Sequence, residues 1–507
     1  MNIIPLGAGQ DVGRSCILAT IGGRTIMFDC GMHMGFNDER RFPDFSYISK
    51  TQSFNKVIDC VIISHFHLDH CGALPHFTEI CGYDGPIYMT QPTKEVCPIL
   101  LDDFRKIVAV KGNDSIFTYQ DILNCMKKVV TISMNETYEH GNGIYITPYY
   151  AGHVLGAAMF HVVVGDQSVV YTGDYSTTPD KHLGPASIKC VRPDILITES
   201  TYGSIVRDCR KVKEREFLKA VSECVLRGGR VLIPIFALGR AQELCLLLDG
   251  YWERSGLNVP VYFSGGLTEK ANEIYKRYIG YTNETIKQKI FERNLFDYRH
   301  IKAFQKYYLD MPGPMVLFAS PGMLHSGMSL KIFKEWCEDD KNLVIIPGYC
   351  VRGTVGEKVL NGAKRLDILG ESKEIRIQVR NLAFSAHADS EGILKLIEQC
   401  KPRNVMLVHG EKSRMRMLKK SIEERYAIPT FFPSNGVLVN IPSRNTVDLR
   451  IPKEKMHACF EPHLSKKKVF VRMKLSSEKD EGVCEVIECE NYLDDCTERD
   501  ADANRNE

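Results

Sequence analysis

Several features that would direct this 507-residue chain elsewhere are missing from it. None of its 18 cysteines stands in a C-x-x-C pair, which excludes a zinc-ribbon or closely paired disulfide framework. They read as reduced, mostly buried thiols of an intracellular protein. No apolar run reaches the length of a membrane span, and Met1-Asn2-Ile3-Ile4-Pro5-Leu6-Gly7 lacks the charged n-region of a signal peptide. Charge of one sign is not in excess either: the formal net charge is +2, so any polyanion site has to be a local patch. No internal repeat is visible, and no basic stretch is interleaved with aromatics as a base-stacking platform would be. The glycines of Gly7-Ala8-Gly9-Gln10-Asp11-Val12-Gly13 are spaced one residue too far apart for a dinucleotide fingerprint, and no helical pattern follows them. They read as a glycine-shaped loop. What remains is a chain with 44% hydrophobic residues, long enough for two to four domains.

The most informative stretch present is Ser64-His65-Phe66-His67-Leu68-Asp69-His70. It follows the apolar Val61-Ile62-Ile63, which reads as a buried strand, so the cluster stands on the loop where that strand ends. Three imidazoles and a carboxylate within six positions are an N/O donor set suited to a metal. His65 and His67 project the same way from an extended segment, whereas Asp69 and His70 turn elsewhere. The spacing suits two adjacent metals better than one.

Strands and helices alternate along the chain. Leu6 to Phe28 carries short β-rich runs, and further strands are expected at Ile87–Thr90, Val162–Tyr171 and Ile195–Thr198. From Lys211 to about Gly370 the texture becomes helical with interposed strands. Helical periodicity marks Lys211–Leu226 and Leu238–Glu253, and the apolar runs at Arg230–Ile235, Val316–Phe318 and Leu343–Ile346 read as parallel strands. β-rich texture returns near Lys373, with Glu374–Val379 alternating as a strand. These boundaries give a first metal-domain segment at 1–205, an inserted α/β domain at 206–375, a second metal-domain segment at 376–450 and a short C-terminal region at 451–507. In Glu478–Glu507, 12 acidic residues face 3 basic ones, which reads as a disordered acidic tail; within it Val483–Glu490 fits a strand.

Further candidate ligands follow. His153 lies among small residues in Ala151-Gly152-His153-Val154-Leu155-Gly156-Ala157, and Asp174 ends a strand in Tyr171-Thr172-Gly173-Asp174. A lone strand-end aspartate is ordinarily a turn or cap residue; in company with the histidine run it reads as a carboxylate bridging two cations roughly 3.5–4 Å apart. Asp29, in Phe28-Asp29-Cys30-Gly31, fits a residue that orients a ligand or an equally plain structural one. Two more loop histidines appear at Ser385-Ala386-His387-Ala388-Asp389 and Leu407-Val408-His409-Gly410.

Asp29, His65 to His70, His153 and Asp174, in this order, resemble the motifs of the metallo-β-lactamase superfamily. Glu199 in Thr198-Glu199-Ser200-Thr201, His387 and His409 resemble the three additional motifs of its β-CASP nucleases, whose inserted domain falls between the first and second. The resemblance covers about 1–450. It implies an αββα metallo-β-lactamase sandwich with an inserted β-CASP α/β domain and a short C-terminal region. It further implies two Zn2+: His65, His67 and His153 on one, Asp69, His70 and His409 on the other, and Asp174 on both. His387, Glu199, Asp69 and Asp29 would complete the catalytic machinery. A metal-bridged hydroxide would attack phosphorus, His387 would protonate the leaving oxygen with Glu199 orienting it, and the cut would leave a 3′-hydroxyl. Histidine at position 409 is the family's mark of RNA-directed rather than DNA-directed members. Within the family, Cys71-Gly72-Ala73-Leu74-Pro75, Gly82–Thr90 and Pro98–Asp103 look most like the Integrator branch, with the pre-mRNA 3′-end cleavage endonucleases as its sibling. That branch implies nuclear transcript cleavage, with the cytoplasm as a second location, and partnership with a non-catalytic homologous subunit and other subunits of a complex. The region beyond 450 departs from it in being short and acidic.

RNA contacts are less defined by residue pattern. Arg207, Arg210, Lys211, Lys213 and Arg215 form a basic cluster that suits either phosphate contacts or a solvated helix face. Arg240 and Arg352, and the turns Ser264–Thr268 and Gly353–Gly356, suit phosphate or plain turns alike. Lys466-Lys467-Lys468 is too short to count as a nuclear targeting signal. Beside an active RNA endonuclease stand two other readings: a small-molecule metallohydrolase on the same fold, which would lack the Glu199–His387–His409 set, and a non-catalytic scaffold, which would have lost ligands.

Overall fold

The apolar, β-branched segments pair as the alternation leads one to expect, and their carboxyl ends collect the candidate site residues along one edge. This is seen in a computed structural model describing residues 1–442 except 51–52, 111–115, 208–209, 237, 265, 349 and 351–352, and beyond them the strands Arg472–Leu475 and Cys484–Glu488. The first seven-stranded sheet runs in the order Val439–Asn440, Asn2–Gly7, Cys16–Ile21, Arg24–Phe28, Cys60–Ile62, Ile87–Met89, Val129–Thr131. The second runs Thr430–Phe431, Val405–Val408, Ile195–Glu199, Gln167–Tyr171, Ala158–Val164, Ile144–Tyr150, Tyr138–Glu139. The two face each other across a core that includes Ile17, Phe28, Ile62, Phe160, Ile195 and Met406, all fully buried or nearly so. Each such side chain contributes about 1.5–3 kcal/mol.

Helices cover the outer faces, giving the sandwich layers. Gln91–Val110 and Tyr119–Lys127 bring Val96, Leu101 and Ile122 against Val61 and Ile87, while Ser390–Cys400 and Lys412–Tyr426 bring Ile393 and Leu418 against Leu196 and Leu407. Local chemistry sets their ends. Thr118 and Asp121 form a reciprocal capping box, and the Asp389 carboxylate accepts from Gly392 N at 2.9 Å to start Ser390–Cys400. The sequence pass did not single out Gln91–Val110, which carries Pro98 inside it, a residue that ordinarily interrupts a helical pattern.

The third sheet is all parallel: Ile301–Ala303, Val261–Ser264, Val316–Ala319, Val231–Pro234, Leu343–Ile346, Gln378–Asn381. Helices Arg210–Leu226 and Arg240–Ser255 cover one face through Phe217, Leu244 and Trp252, and Gly327–Trp336 covers the other through Phe333 and Trp336. Its four central strands are buried throughout and mainly apolar, as parallel strands are, whereas the edges Ile301–Ala303 and Gln378–Asn381 are largely exposed.

Three expectations change in detail. The single strand expected over Val162–Tyr171 is a hairpin, because Gly165 turns at φ +60° and Gln167 pairs with Val164. The strand expected over Glu374–Val379 divides into Glu371–Glu374, paired with Arg365–Ile368, and Gln378–Asn381, which forms an edge of the third sheet. Leu238–Glu253 starts later, at Arg240, after Gly239 at φ +85°. Beyond Pro442 the chain forms a separate unit, in which Arg472–Leu475 and Cys484–Glu488 pair antiparallel; the second lies inside the strand expected at Val483–Glu490. Most of the acidic stretch, Lys466–Lys468 and Arg352 lie outside the described residues. Of the described cysteines none is bonded, and all but Cys81 and Cys190 are buried.

Candidate metal centre and active site

Five strand ends converge here. Asp29 follows Arg24–Phe28, the histidine run follows Cys60–Ile62, Asp174 follows Gln167–Tyr171, Glu199 ends Ile195–Glu199, and His409 follows Val405–Val408. Parallel register brings the last two together, since Glu199 pairs with Val408. His67 caps the short helix Leu68–Cys71, so His65 and His67 leave from extended backbone while Asp69 and His70 turn away on the helix.

Two donor sets result. His65, His67, His153 and Asp174 bring one ligand atom each within 4.8 Å of one another, and so do Asp69, His70 and His409. Asp174 stands between them: its Oδ2 is 3.9 Å from His65 Nε2, 3.8 Å from His153 Nε2 and 3.3 Å from His70 Nε2, and its Oδ1 is 3.4 Å from His409 Nδ1.

The outward nitrogens are fixed by partners behind the site. His65 Nδ1 donates to Ser64 Oγ at 3.0 Å and His153 Nδ1 to the Ala386 carbonyl at 2.7 Å. Their Nε2 lone pairs therefore face His67 Nδ1, at 3.0 and 3.1 Å. A proton on His67 Nδ1 serves one of these lone pairs well at most, whereas a cation among the three nitrogens would satisfy all of them. On the other side, Asp29 Oδ2 accepts from His70 Nδ1 at 2.7 Å, from Ser64 Oγ at 2.8 Å and from the Tyr171 hydroxyl at 2.6 Å, while its Oδ1 accepts from Ser64 N at 2.7 Å. Asp29 thus lies behind the donors, and His70 Nε2 and Asp174 Oδ1 are both buried without a hydrogen-bond partner among the described residues. Orphaned buried atoms and convergent lone pairs fit a bound metal, with a carboxylate–histidine arrangement behind it.

Electrostatics separate the two sets. Burial pushes His65 and His153 well below the ordinary imidazole value and His67 down to about 4, so these rings are neutral ligands. Burial also opposes charge on His70 and His409, but the Asp174 and Asp69 carboxylates outweigh it and raise both. The same imidazoles hold Asp69 and Asp174 well below the usual carboxylate range despite their burial.

His387 approaches from the loop before Ser390–Cys400. Its Nδ1 bonds Glu199 Oε2 at 2.9 Å and lies 3.6 Å from Asp174 Oδ2. Burial lowers its pKa, but Glu199 and Asp174 more than compensate and place it at about 9. Glu199 Oε1 accepts from Tyr175 N, and its Oε2 also accepts from Thr201 Oγ1 at 2.6 Å.

Every residue singled out for the centre from sequence is brought to this edge. Among the described basic residues only Arg207 is brought there, tied to the His387 loop through Asp389 and Ser385. Arg210 pairs with Glu243 and Asp180, Arg240 pairs with Glu243, Lys213 donates to the Ala383 carbonyl at 3.3 Å, and Lys211 and Arg215 are exposed. Supporting groups escaped the sequence reading: Ser64, Tyr171, Thr201, the Ala386 carbonyl, and Ala8, whose carbonyl accepts from His409 N at 2.7 Å. Thr201 is adjacent in sequence to the Glu199 motif, a usable signal; the others have none.

Comparison with known proteins agrees with this architecture. Residues 18–197 match the metallo-beta-lactamase superfamily domain, 241–359 the Beta-Casp domain, and 372–433 the Zn-dependent metallo-hydrolase RNA specificity domain. A crystal structure of a protein of unknown function from Enterococcus faecalis V583 superposes with a TM-score of 0.53 over 86% of this chain and 99% of that one; at 14% identity it speaks for the fold alone. Cleavage and polyadenylation specificity factor 73 of Drosophila melanogaster is 41% identical over 84% of this chain and 62% of its own. Integrator complex subunit 11 of Danio rerio is 58% identical over 89% of this chain and 76% of its own. By the fold, the three domain matches and that identity, the chain belongs to the Integrator complex subunit 11 family, within the β-CASP branch of the metallo-β-lactamase superfamily.

Proposed function

We propose that this chain is a zinc-dependent RNA endonuclease that cleaves nascent transcripts in the nucleus as the catalytic subunit of an Integrator-type complex. Its tasks there would be small nuclear RNA 3′-end processing and promoter-proximal transcript cleavage. The observation that carries the reading is one carboxylate, Asp174, that belongs to the first donor set and lies 3.3 Å from His70 and 3.4 Å from His409 of the second, with an imidazole held by Glu199 beside it. His65, His67, His153 and Asp174 would hold one zinc, and Asp69, His70, His409 and Asp174 the other. When bound, the pair supplies a water acidic enough to attack phosphorus and positive charge for the phosphate oxygens. His387, with a pKa of about 9, carries its proton at neutral pH and gives it to the leaving 3′-oxygen. Glu199 keeps that ring oriented, and Asp29 fixes the tautomer of His70. The products are a 3′-hydroxyl and a 5′-phosphate. Partners would be a non-catalytic homologous subunit and the other subunits of the complex.

A second reading, the pre-mRNA 3′-end cleavage endonuclease of the polyadenylation machinery, rests on the same chemistry and on the lower identity of 41%. A thioester-type metallohydrolase would have no use for His387. The test is a pair of variants. His387→Ala is expected to keep its metal and lose cleavage by about 10²–10⁴-fold, with RNA cut in preference to single-stranded DNA. An emptied centre in that variant, or DNA cut as fast as RNA, overturns the assignment. Affinity purification with identification of the co-purifying subunits separates the two complexes.

A further inference from the structure

Among the cations near the centre, Arg207 is arranged unlike the rest. Arg210 and Arg240 are each matched by carboxylates. Arg207 is tied to the His387 loop instead: its backbone N donates to Asp389 Oδ2 at 3.1 Å, and its Nη1 to the Ser385 carbonyl at 3.3 Å. The guanidinium lies over the Tyr202 ring, 4.2 Å from its centroid, and that ring is 6.0 Å from the His387 ring. The other edge of the fork, Nε and Nη2, is shut off from solvent with no hydrogen-bond partner among the described residues. A buried donor left unpaired costs about 1–3 kcal/mol, more when charged. The arginine cannot escape by losing its proton. A planar two-donor edge of fixed charge, beside the group that protonates the leaving oxygen, has the geometry for two oxygens of one phosphate.

We propose that Arg207 is a phosphate-binding residue: when RNA displaces what now covers Nε and Nη2, that edge receives a phosphodiester on the leaving-group side of the cut, while Tyr202 holds the guanidinium flat. This rests on the reading of the chain as an RNA endonuclease. The upstream strand would then be gripped next to the 3′-oxygen that His387 protonates, and the fork's burial would be compensated only when substrate is present.

The test uses the full-length chain in a His387→Ala background, which holds RNA uncut, with and without Arg207→Gln. Binding of single-stranded RNA is followed by fluorescence anisotropy over a salt series, and again with a strand whose linkages are all neutral methylphosphonates. Arg207→Gln is expected to weaken binding of the charged strand about tenfold, to reduce the salt slope by about 0.7, and to leave metal content and binding of the neutral strand unchanged. Arg207→Lys, which keeps the charge without the fork, should recover the slope but only part of the affinity. An unchanged slope in Arg207→Gln, or equal losses on charged and neutral strands, assigns Arg207 to the scaffold and overturns the proposal. A parent chain that binds neither strand overturns the endonuclease reading on which it rests.

Discussion

The two halves of the centre share Asp174 and are otherwise built on opposite plans. The half made by His65, His67 and His153 is nitrogen-rich, and its imidazoles are neutral because burial depresses them. Its donors come from one stretch of chain between 65 and 174. The half made by Asp69, His70 and His409 has a carboxylate of its own beside two imidazoles, and these imidazoles sit against carboxylates that raise their proton affinity. It is incomplete until the chain returns from the third sheet to place His409 beside Glu199. One half is a local product of a strand and two loops; the other is a product of the whole fold, with Asp29 behind it as an organiser. On the proposed two-metal reading a metal would be held for different reasons in each, and the halves should fail differently.

The largest effect removes what they share. Asp174→Ala is expected to empty both halves and reduce cleavage to background, read as metal per chain by elemental analysis together with an RNA cleavage assay. Retention of one metal at full occupancy would mean that Asp174 belongs to one half and that the comparison is mis-drawn.

Next come substitutions that strike one half through its backbone. A Cβ at Gly31 would lie 1.7 Å from the Asp69 carbonyl oxygen, pushing the Asp69–His70 turn, whereas a Cβ at Gly152, already at φ +67°, would lie 2.4 Å from the Gly184 carbonyl oxygen and move His153. Neither obstacle is a flexible side chain, so each change is expected to cost about 1–3 kcal/mol of stability. Gly31→Ala should lose the metal of the second half, and Gly152→Ala that of the first. Spectroscopy of the cobalt-substituted variants would tell a remainder with two imidazoles from one with three, and identical spectra would contradict the separation.

Those glycines also mark where sequence reading reached and where it stopped. The histidine run was legible because its donors are neighbours, and spacing on an extended segment dictates which side chains project together. The alternating strands and two of the helices, Arg210–Leu226 and Arg240–Ser255, were legible from periodicity. Glu199, His387 and His409 were not readable from local context: His387 is 188 positions from Glu199, and His409 is 340 from Asp69, so only the resemblance of the whole ordered set pointed to them. The second layer was silent. A tyrosine ending a strand looks like core, and nothing in Gly7–Gly13 announces that the Ala8 carbonyl holds His409. The basic cluster, which suited phosphate or a solvated face alike, stayed undecided because the ion pairs that absorb Arg210 come from Asp180 and Glu243, on other segments of the chain.

Acidification should distinguish the halves more gently. Metal needs the unprotonated imidazole, so protons and metal compete for the same nitrogen. A raised pKa keeps the proton to higher pH and weakens metal binding as pH falls through it; a lowered pKa does the reverse. His70 and His409 are raised, whereas His67 is depressed to about 4 and its companions are low as well. As pH falls through these raised values, which lie above the ordinary imidazole value, metal per chain after dialysis should fall from two towards one, with the first half still loaded. Simultaneous loss of both metals would show that shared Asp174, rather than the imidazoles, governs the acid limit.

The smallest effect tests the organiser. The Tyr171 hydroxyl is one of four donors to Asp29, and its ring also packs on Phe28 at a centroid distance of 4.9 Å. Tyr171→Phe keeps that packing and removes one hydrogen bond, worth about 1 kcal/mol, leaving Ser64 and His70 to hold the carboxylate. Replacing the carboxylate itself, as in Asp29→Asn, would be expected to weaken metal binding about 10–100-fold; the loss of one supporting hydroxyl should cost only a few-fold, confined to the second half, with the melting temperature nearly unchanged. Chelator titration resolves the two affinities. Equal weakening of both halves would place Tyr171 in the general scaffold between the sheets, because Asp29 contacts only His70 directly among the metal donors and can favour one half only through that ring.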